Sequence, residues 1–134
     1  MKKTMIMLSA GLFTLAVLAF TTKTMDQKPW PVPDAWKNKA NPLKGDAASV
    51  ATGKTLYNQH CKSCHGSKGK GDGPKAAQLD TESGDFTLAA FQNQTDGSIF
   101  YKTYEGRKDM PSYKKKIPEA NDIWAVVNYM RTFK

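Results

Sequence analysis

The chain has 134 residues, room for one domain once a leader is allowed for, and a domain of that size buries only a modest core unless a covalent staple or cofactor adds to it. Basic residues number 20 against 12 acidic ones, a formal charge of +8, and loss of Lys2 and Lys3 with a leader would leave about +6. Only two of the basic residues are arginines, too few for the phosphate and groove contacts of a nucleic-acid binder. The charge therefore points to acidic protein partners or to simple solubility.

The chain opens with Lys2-Lys3 and then "MIMLSAGLFTLAVLAF", an uncharged run over residues 5–20. That run falls short of the ~20 apolar residues of a membrane span and suits a secretory signal peptide over 1–20. Val17-Leu18-Ala19 offers small residues for cleavage without a clean A-x-A, so an uncleaved N-terminal anchor is the alternative. Only the anchor would bring membrane contact. No cysteine follows the apolar run, which excludes a lipoprotein. The expected location is the periplasm.

Residues 21–45 carry Pro29, Pro31, Pro33 and Pro42 with little apolar periodicity and read as a linker or a wrapping arm. If the segment wraps, Trp30 and Trp36 dock on the domain; otherwise it is a spacer. The domain is expected over 46–134. Its first helix runs from Ala47 to about Cys61, with Asp46 as N-cap and Val50, Gly53, Leu56, Tyr57 and His60 at helical spacings. A glycine-rich loop follows over 66–75. A middle helix is predicted over 96–105, stopped by Gly106. The last helix is predicted to start at Pro118, with Ile123, Val126, Val127 and Met130 as one apolar stripe. No strand pattern of useful length is present. The fold class is all-α, several short helices joined by long loops. Such helices make a poor core alone, so a large apolar group is expected among them.

Both cysteines and both histidines of the chain fall within six positions, His60-Cys61-Lys62-Ser63-Cys64-His65. Three chemistries use such a cluster. Thiol–disulfide exchange places C-x-x-C at a helix start beside a βαβ unit, whereas here the pair ends a helix. Zinc draws its second ligand pair from a distant segment, and adjacent residues do not readily close one tetrahedron. Covalent haem attachment uses C-x-x-C-H, with two thioethers from the cysteines and the next histidine beneath the iron. Only the third accounts for His65, the absence of other thiols and the export signal together. Cys61, Cys64 and His65 are therefore the expected sites for one covalently attached haem c.

The iron then needs a sixth ligand or remains open. His60 precedes Cys61 on the same side of the attachment turn, which suits a solvent-facing or haem-edge residue. Met130 lies on the apolar stripe of the last helix, and Met25 sits in the arm, where ordering would cost entropy. Met110 lies in a loop and is followed by Pro111, which stiffens the backbone. It is the expected ligand, with gap-filling under that loop as its alternative role.

With these residues in place, the chain resembles the class I c-type cytochromes, especially the small bacterial monohaem ones. The likeness covers residues 46–134: Gly53 and Tyr57 in the first helix, C-x-x-C-H-G at 61–66, a Gly/Pro loop ending at Pro74, Met110-Pro111, and a last helix reading "WAVVNYMRTF". The resemblance implies the cytochrome c fold, short helices wrapped around one haem. It implies that Gly53 and Tyr57 meet Val126 and Tyr129 where first and last helices cross. It also implies that a carbonyl near Pro74 accepts a hydrogen bond from the His65 ring, fixing its tautomer. The arm has no counterpart in the minimal family pattern.

The function expected is that of a one-electron carrier, not an enzyme, with iron saturated by His65 and Met110. Leu56, Phe91, Ile99, Phe100, Tyr113 and Val127 would wall the haem. Lys62 and Lys114-Lys115-Lys116 would steer it to acidic docking patches on redox partners, or merely solvate the surface. Two alternatives are a haem c subunit of a larger respiratory oxidoreductase complex and an open-site haem enzyme or sensor.

Overall fold

The computed structural model describes residues 29–134. The expected signal segment, the start of the arm and Met25 lie outside the described residues. Within them the elements are α1 (Asp34–Lys37), α2 (Ala47–His60), α3 (Lys62–His65), a 3-10 turn (Ala76–Gln78), α4 (Ala89–Gln92), α5 (Asp96–Glu105) and α6 (Ala120–Met130). No strand occurs among the described residues; one isolated antiparallel bridge joins Arg107 and Met110.

The centre of the molecule is the crossing of α2 and α6. Helix α2 starts where the Asp46 carboxylate accepts the Ala48 N–H at 2.8 Å, satisfying one of the donors that a helix N-terminus leaves free. It buries only Ser49, Gly53 and Tyr57, a narrow stripe of every fourth residue. Two of those residues are small, so the helices approach closely: a Cβ at Gly53 would fall on the Ala125 carbonyl. Tyr57 is fully buried there, its ring 5.3 Å edge-on from Tyr129 and 5.3 Å from Phe133. At Gly53 the nearest neighbours are Ala125 and, as expected, Tyr129, while Val126 lies fully buried in the same core cluster as Tyr57.

Helix α6 is buried at Ile123 through Asn128 and again at Met130, because α2 covers one side and α5 another. It begins at Ala120, with Glu119 as N-cap, two residues after the start expected at Pro118. Ile117 explains the delay. It is buried and its N–H donates to the Tyr113 carbonyl at 2.8 Å, so the chain must turn through Pro118 and Glu119 before helical bonding starts. Thr95 caps α5 by accepting the Ser98 N–H at 3.2 Å, and Gly106 ends it at φ 69°.

Polar clamps hold the periphery. Asn128 is buried, accepts from Asn41 at 2.8 Å and donates to the Leu43 carbonyl and the Ser49 hydroxyl at 2.6 and 2.7 Å. Arg131 follows α6 and donates twice to Asp96 and once each to the Gln92 and Gln94 carbonyls. Residues 29–39 lie along α5, and Asn41 and Leu43 reach α6. Trp36 stacks on Phe100 at 5.5 Å and 14°, with the Lys39 ammonium 4.3 Å from the indole centre. The Arg107 guanidinium stands 4.4 Å from the Trp30 ring.

Candidate functional site

Cys61 closes α2 and opens α3, so it serves as cap to both helices. Its N–H donates to the Tyr57 carbonyl at 2.8 Å, and its own carbonyl accepts from Cys64 at 3.2 Å and His65 at 2.9 Å. That single turn puts Cys61, Cys64 and His65 at i, i+3 and i+4, on one face. Both cysteines are free thiols. Cys61 is buried, and burial with the neighbouring Cys64 pushes its thiol up to about 12.

The glycine loop folds back onto this turn. Gly71, Gly73 and Lys75 donate their N–H groups to the carbonyls of His65, Cys64 and Ser63 at 2.9, 3.1 and 2.8 Å. Gly73 is required, since a Cβ there would stand 2.6 Å from the Ser63 carbonyl carbon. The Tyr57 hydroxyl donates to the Gly66 carbonyl at 2.8 Å, tying the loop to the helix crossing.

His65 is half-buried and stacks on Phe86 at 4.4 Å and 29°; Phe86 in turn stacks on Phe91 at 4.4 Å. Its Nδ1 is shut off from solvent without a hydrogen-bond partner. The Pro74 carbonyl therefore does not hold the ring, contrary to what the resemblance implies. The ring faces Phe86 and the Ser83 backbone instead. Burial pushes the imidazole down to about 4, with the Ser83 backbone opposing the shift.

Met110 sits on a separate loop, tied through Tyr113 to the residue before Cys61. Reciprocal backbone bonds between Arg107 and Met110, at 2.8 and 3.0 Å, close a two-residue turn at Lys108-Asp109. Gly106 lets this turn lie against the chain that leaves it, since a Cβ would stand 2.5 Å from the Ser112 nitrogen. Asp109 accepts the Thr81 N–H at 2.8 Å and also the Thr81 hydroxyl. Three residues beyond Met110, the buried Tyr113 donates its hydroxyl to the His60 carbonyl at 2.8 Å, next to Cys61. Both cysteines lie near enough to raise the Tyr113 phenol further, after burial. Met110 is half-buried and packs on the cluster that contains Cys61, whereas Met130 is a buried core residue of α6.

Sequence reasoning missed Phe86 and the Thr81–Asp109 pair. Phe86 lies in a segment without periodicity, and hydrogen bonds across 28 positions leave no local signal.

A family profile described as Cytochrome c matches residues 50–134. The chain belongs to the cytochrome c family. Its cofactor is accordingly covalently bound haem c, and Cys61 and Cys64 stand at C-x-x-C spacing. Cytochrome c-554(547) of Halothiobacillus neapolitanus is 47% identical over 49 residues, which are 35% of this chain and 54% of that protein. The match thus spans about half the length of that curated relative. Among solved structures, the Kuenenia stuttgartiensis reducing HAO-like protein complex Kustc0457/Kustc0458 matches with a TM-score of 0.63 and 25% identity, over 78% of this chain and 50% of that one. The KustC0563 c-type cytochrome matches with a TM-score of 0.52 and 31% identity, over 61% of this chain and 96% of its own. The fold is the all-α cytochrome fold.

The residues present fit that cofactor. Two free thiols share one helical turn, and the adjacent imidazole holds a buried nitrogen with no partner.

Proposed function

We propose that the protein is a periplasmic one-electron carrier whose haem c is bonded to Cys61 and Cys64 and ligated by His65 and Met110. The observation that carries this reading is the junction of two loops: Tyr113, just past Met110, bonds to His60, just before Cys61. When bound, the haem supplies an iron that alternates between ferrous and ferric states, and methionine ligation favours the ferrous one.

The chain's own residues do the rest. His65 and Met110 would fill both axial positions and leave none for substrate. Ile99, Phe100, Tyr113 and Val127 are buried and exclude water, which lowers the local dielectric and tunes the potential. Lys62, Lys115 and Lys116 are exposed beside the attachment turn and past Met110. Lys114 is also exposed but pairs with Glu105 at 2.7 Å, so it contributes less free charge. These ammonium groups would draw the protein to acidic patches, a rate effect that falls with salt.

A second reading, a haem subunit of a larger redox complex, is favoured by the 78% coverage of this chain by a component of the HAO-like complex. Against it, Trp30 and Trp36 are engaged by residues of this same chain, Arg107 and Phe100. Detergent-free purification as a monomer supports the carrier; co-purification with other redox subunits supports the complex.

Carbon monoxide added to the reduced protein near neutral pH tests the ligand set. No binding, together with the red-edge absorption band of ferric thioether ligation, is the expected result. Rapid binding and no such band would make the iron open and the protein an enzyme or sensor.

A further inference from the structure

We propose that Asp109 and Thr81 form a latch that positions Met110, and that opening this latch releases Met110 from the iron while the rest of the fold stays intact. The inference rests on the reading of Met110 as a ligand.

Among the described residues, Lys108 is the only one besides glycines with a positive φ, 53°. A lysine in that region is strained, and such strain persists only where neighbouring structure enforces it. Here the enforcement is visible. Arg107 and Met110 exchange backbone bonds across Lys108 and Asp109, so the turn holds Met110 directly. On one side the turn is held by Arg107, which donates to the Pro29 carbonyl at 3.0 Å and lies on the Trp30 ring, and towards the His65 side by Asp109, whose carboxylate takes both the N–H and the hydroxyl of Thr81.

Thr81 belongs to the long segment that leaves the attachment turn and returns at Phe86, against which His65 stacks. The latch thus joins the Met110 loop to the chain on the His65 side. The second tie, Tyr113 to His60, lies on the opposite flank of Met110 and is buried, whereas Lys108 and Asp109 are exposed. Of the two, the exposed tie yields first, because water can replace its bonds as they break. With Tyr113 still anchored, the turn swings about that point and carries Met110 with it. Asp109 and Thr81 are positioning residues; neither touches the iron.

The test uses ferric holoprotein and the rate of cyanide binding in the limit where departure of the native ligand sets that rate. Asp109→Ala removes both bonds and is expected to speed binding about tenfold; Thr81→Val keeps the backbone N–H bond and should speed it less, with the double variant close to Asp109→Ala. Thr81→Ser, which keeps both donors, should bind cyanide at the parent rate. Ser49→Ala, which removes a hydrogen bond to Asn128 far from this loop, serves as the stability control. Its melting temperature should fall with no change in cyanide rate. Parent rates in both latch variants would overturn the latch while leaving Met110 ligation standing, as would equal acceleration by Ser49→Ala. A parent protein without the red-edge band would instead remove Met110 ligation, and the latch with it.

Discussion

The helix crossing and the attachment turn are built on opposite principles. At the crossing, Gly53, Tyr57, Ala125, Val126 and Tyr129 fill their space with their own atoms, and the Tyr57 hydroxyl finds an acceptor. At the turn, two thiols are free of any disulfide and a buried imidazole nitrogen is unsatisfied, although backbone bonds from the glycine loop hold the turn. Buried polar groups are ordinarily hydrogen-bonded, and an exception calls for a reason. The contrast teaches that one region is completed by the polypeptide and the other by a group it receives.

Removing the received group should break the comparison most severely. Cys61→Ser is expected to cut the yield of folded holoprotein sharply, read as the ratio of haem absorbance to protein in the exported fraction. Normal folding without haem would show that the turn needs no partner.

Met110→Ala should come next. Haem should stay attached while the red-edge band disappears and the potential falls, measured by optical redox titration. Persistence of band and potential would assign the ligand elsewhere.

Gly53→Ala probes the other region. The added methyl meets the Ala125 carbonyl, so the helices must separate, at a cost of about 2–4 kcal/mol in chemical denaturation. The ligand band should be unchanged below the melting transition, which would separate packing from ligation. Trp36→Ala should cost about 2–3 kcal/mol, because it strips the stacked ring from Phe100 and the cation from its face.

The smallest effect concerns pH. Bonds from Thr87 hold the Asp85 carboxyl below the usual carboxylate range, and bonds from Thr81 do the same for Asp109. A lowered folded value means that the unfolded chain binds the proton more readily. The stability these groups contribute is therefore complete above the unfolded carboxyl value of about 3.9, and is lost as pH falls through their lower folded values. Asp109 is exposed and Asp85 only half-buried, so screening keeps the effect modest. Melting temperatures followed below pH 4 should drop less in a double Asp85→Asn, Asp109→Asn variant than in the parent.

Much of the fold was legible because its signals are local. Asp46 and Gly106 mark the α2 start and α5 end, and the stripe of Ile123, Val126, Val127 and Met130 marks the buried side of α6. The attachment turn was legible for the same reason: five adjacent residues carry it. What escaped depends on distant partners. The place of Ile117 in the preceding turn set the start of α6, and nothing around Pro118 itself announced that. Arg131, just past α6, clamps Asp96 and the Gln92 and Gln94 carbonyls, and nothing local in the sequence announced that. The Pro74 contact failed because the His65 ring faces Phe86 and the Ser83 backbone, partners far along the chain that a pattern carried over by position does not include.

The most direct test of the central claim is mass spectrometry of the exported protein, intact and after digestion. The expected result is one haem added to the polypeptide, carried on the peptide that contains Cys61 and Cys64. A bare polypeptide mass, or haem found on any other peptide, would contradict the account.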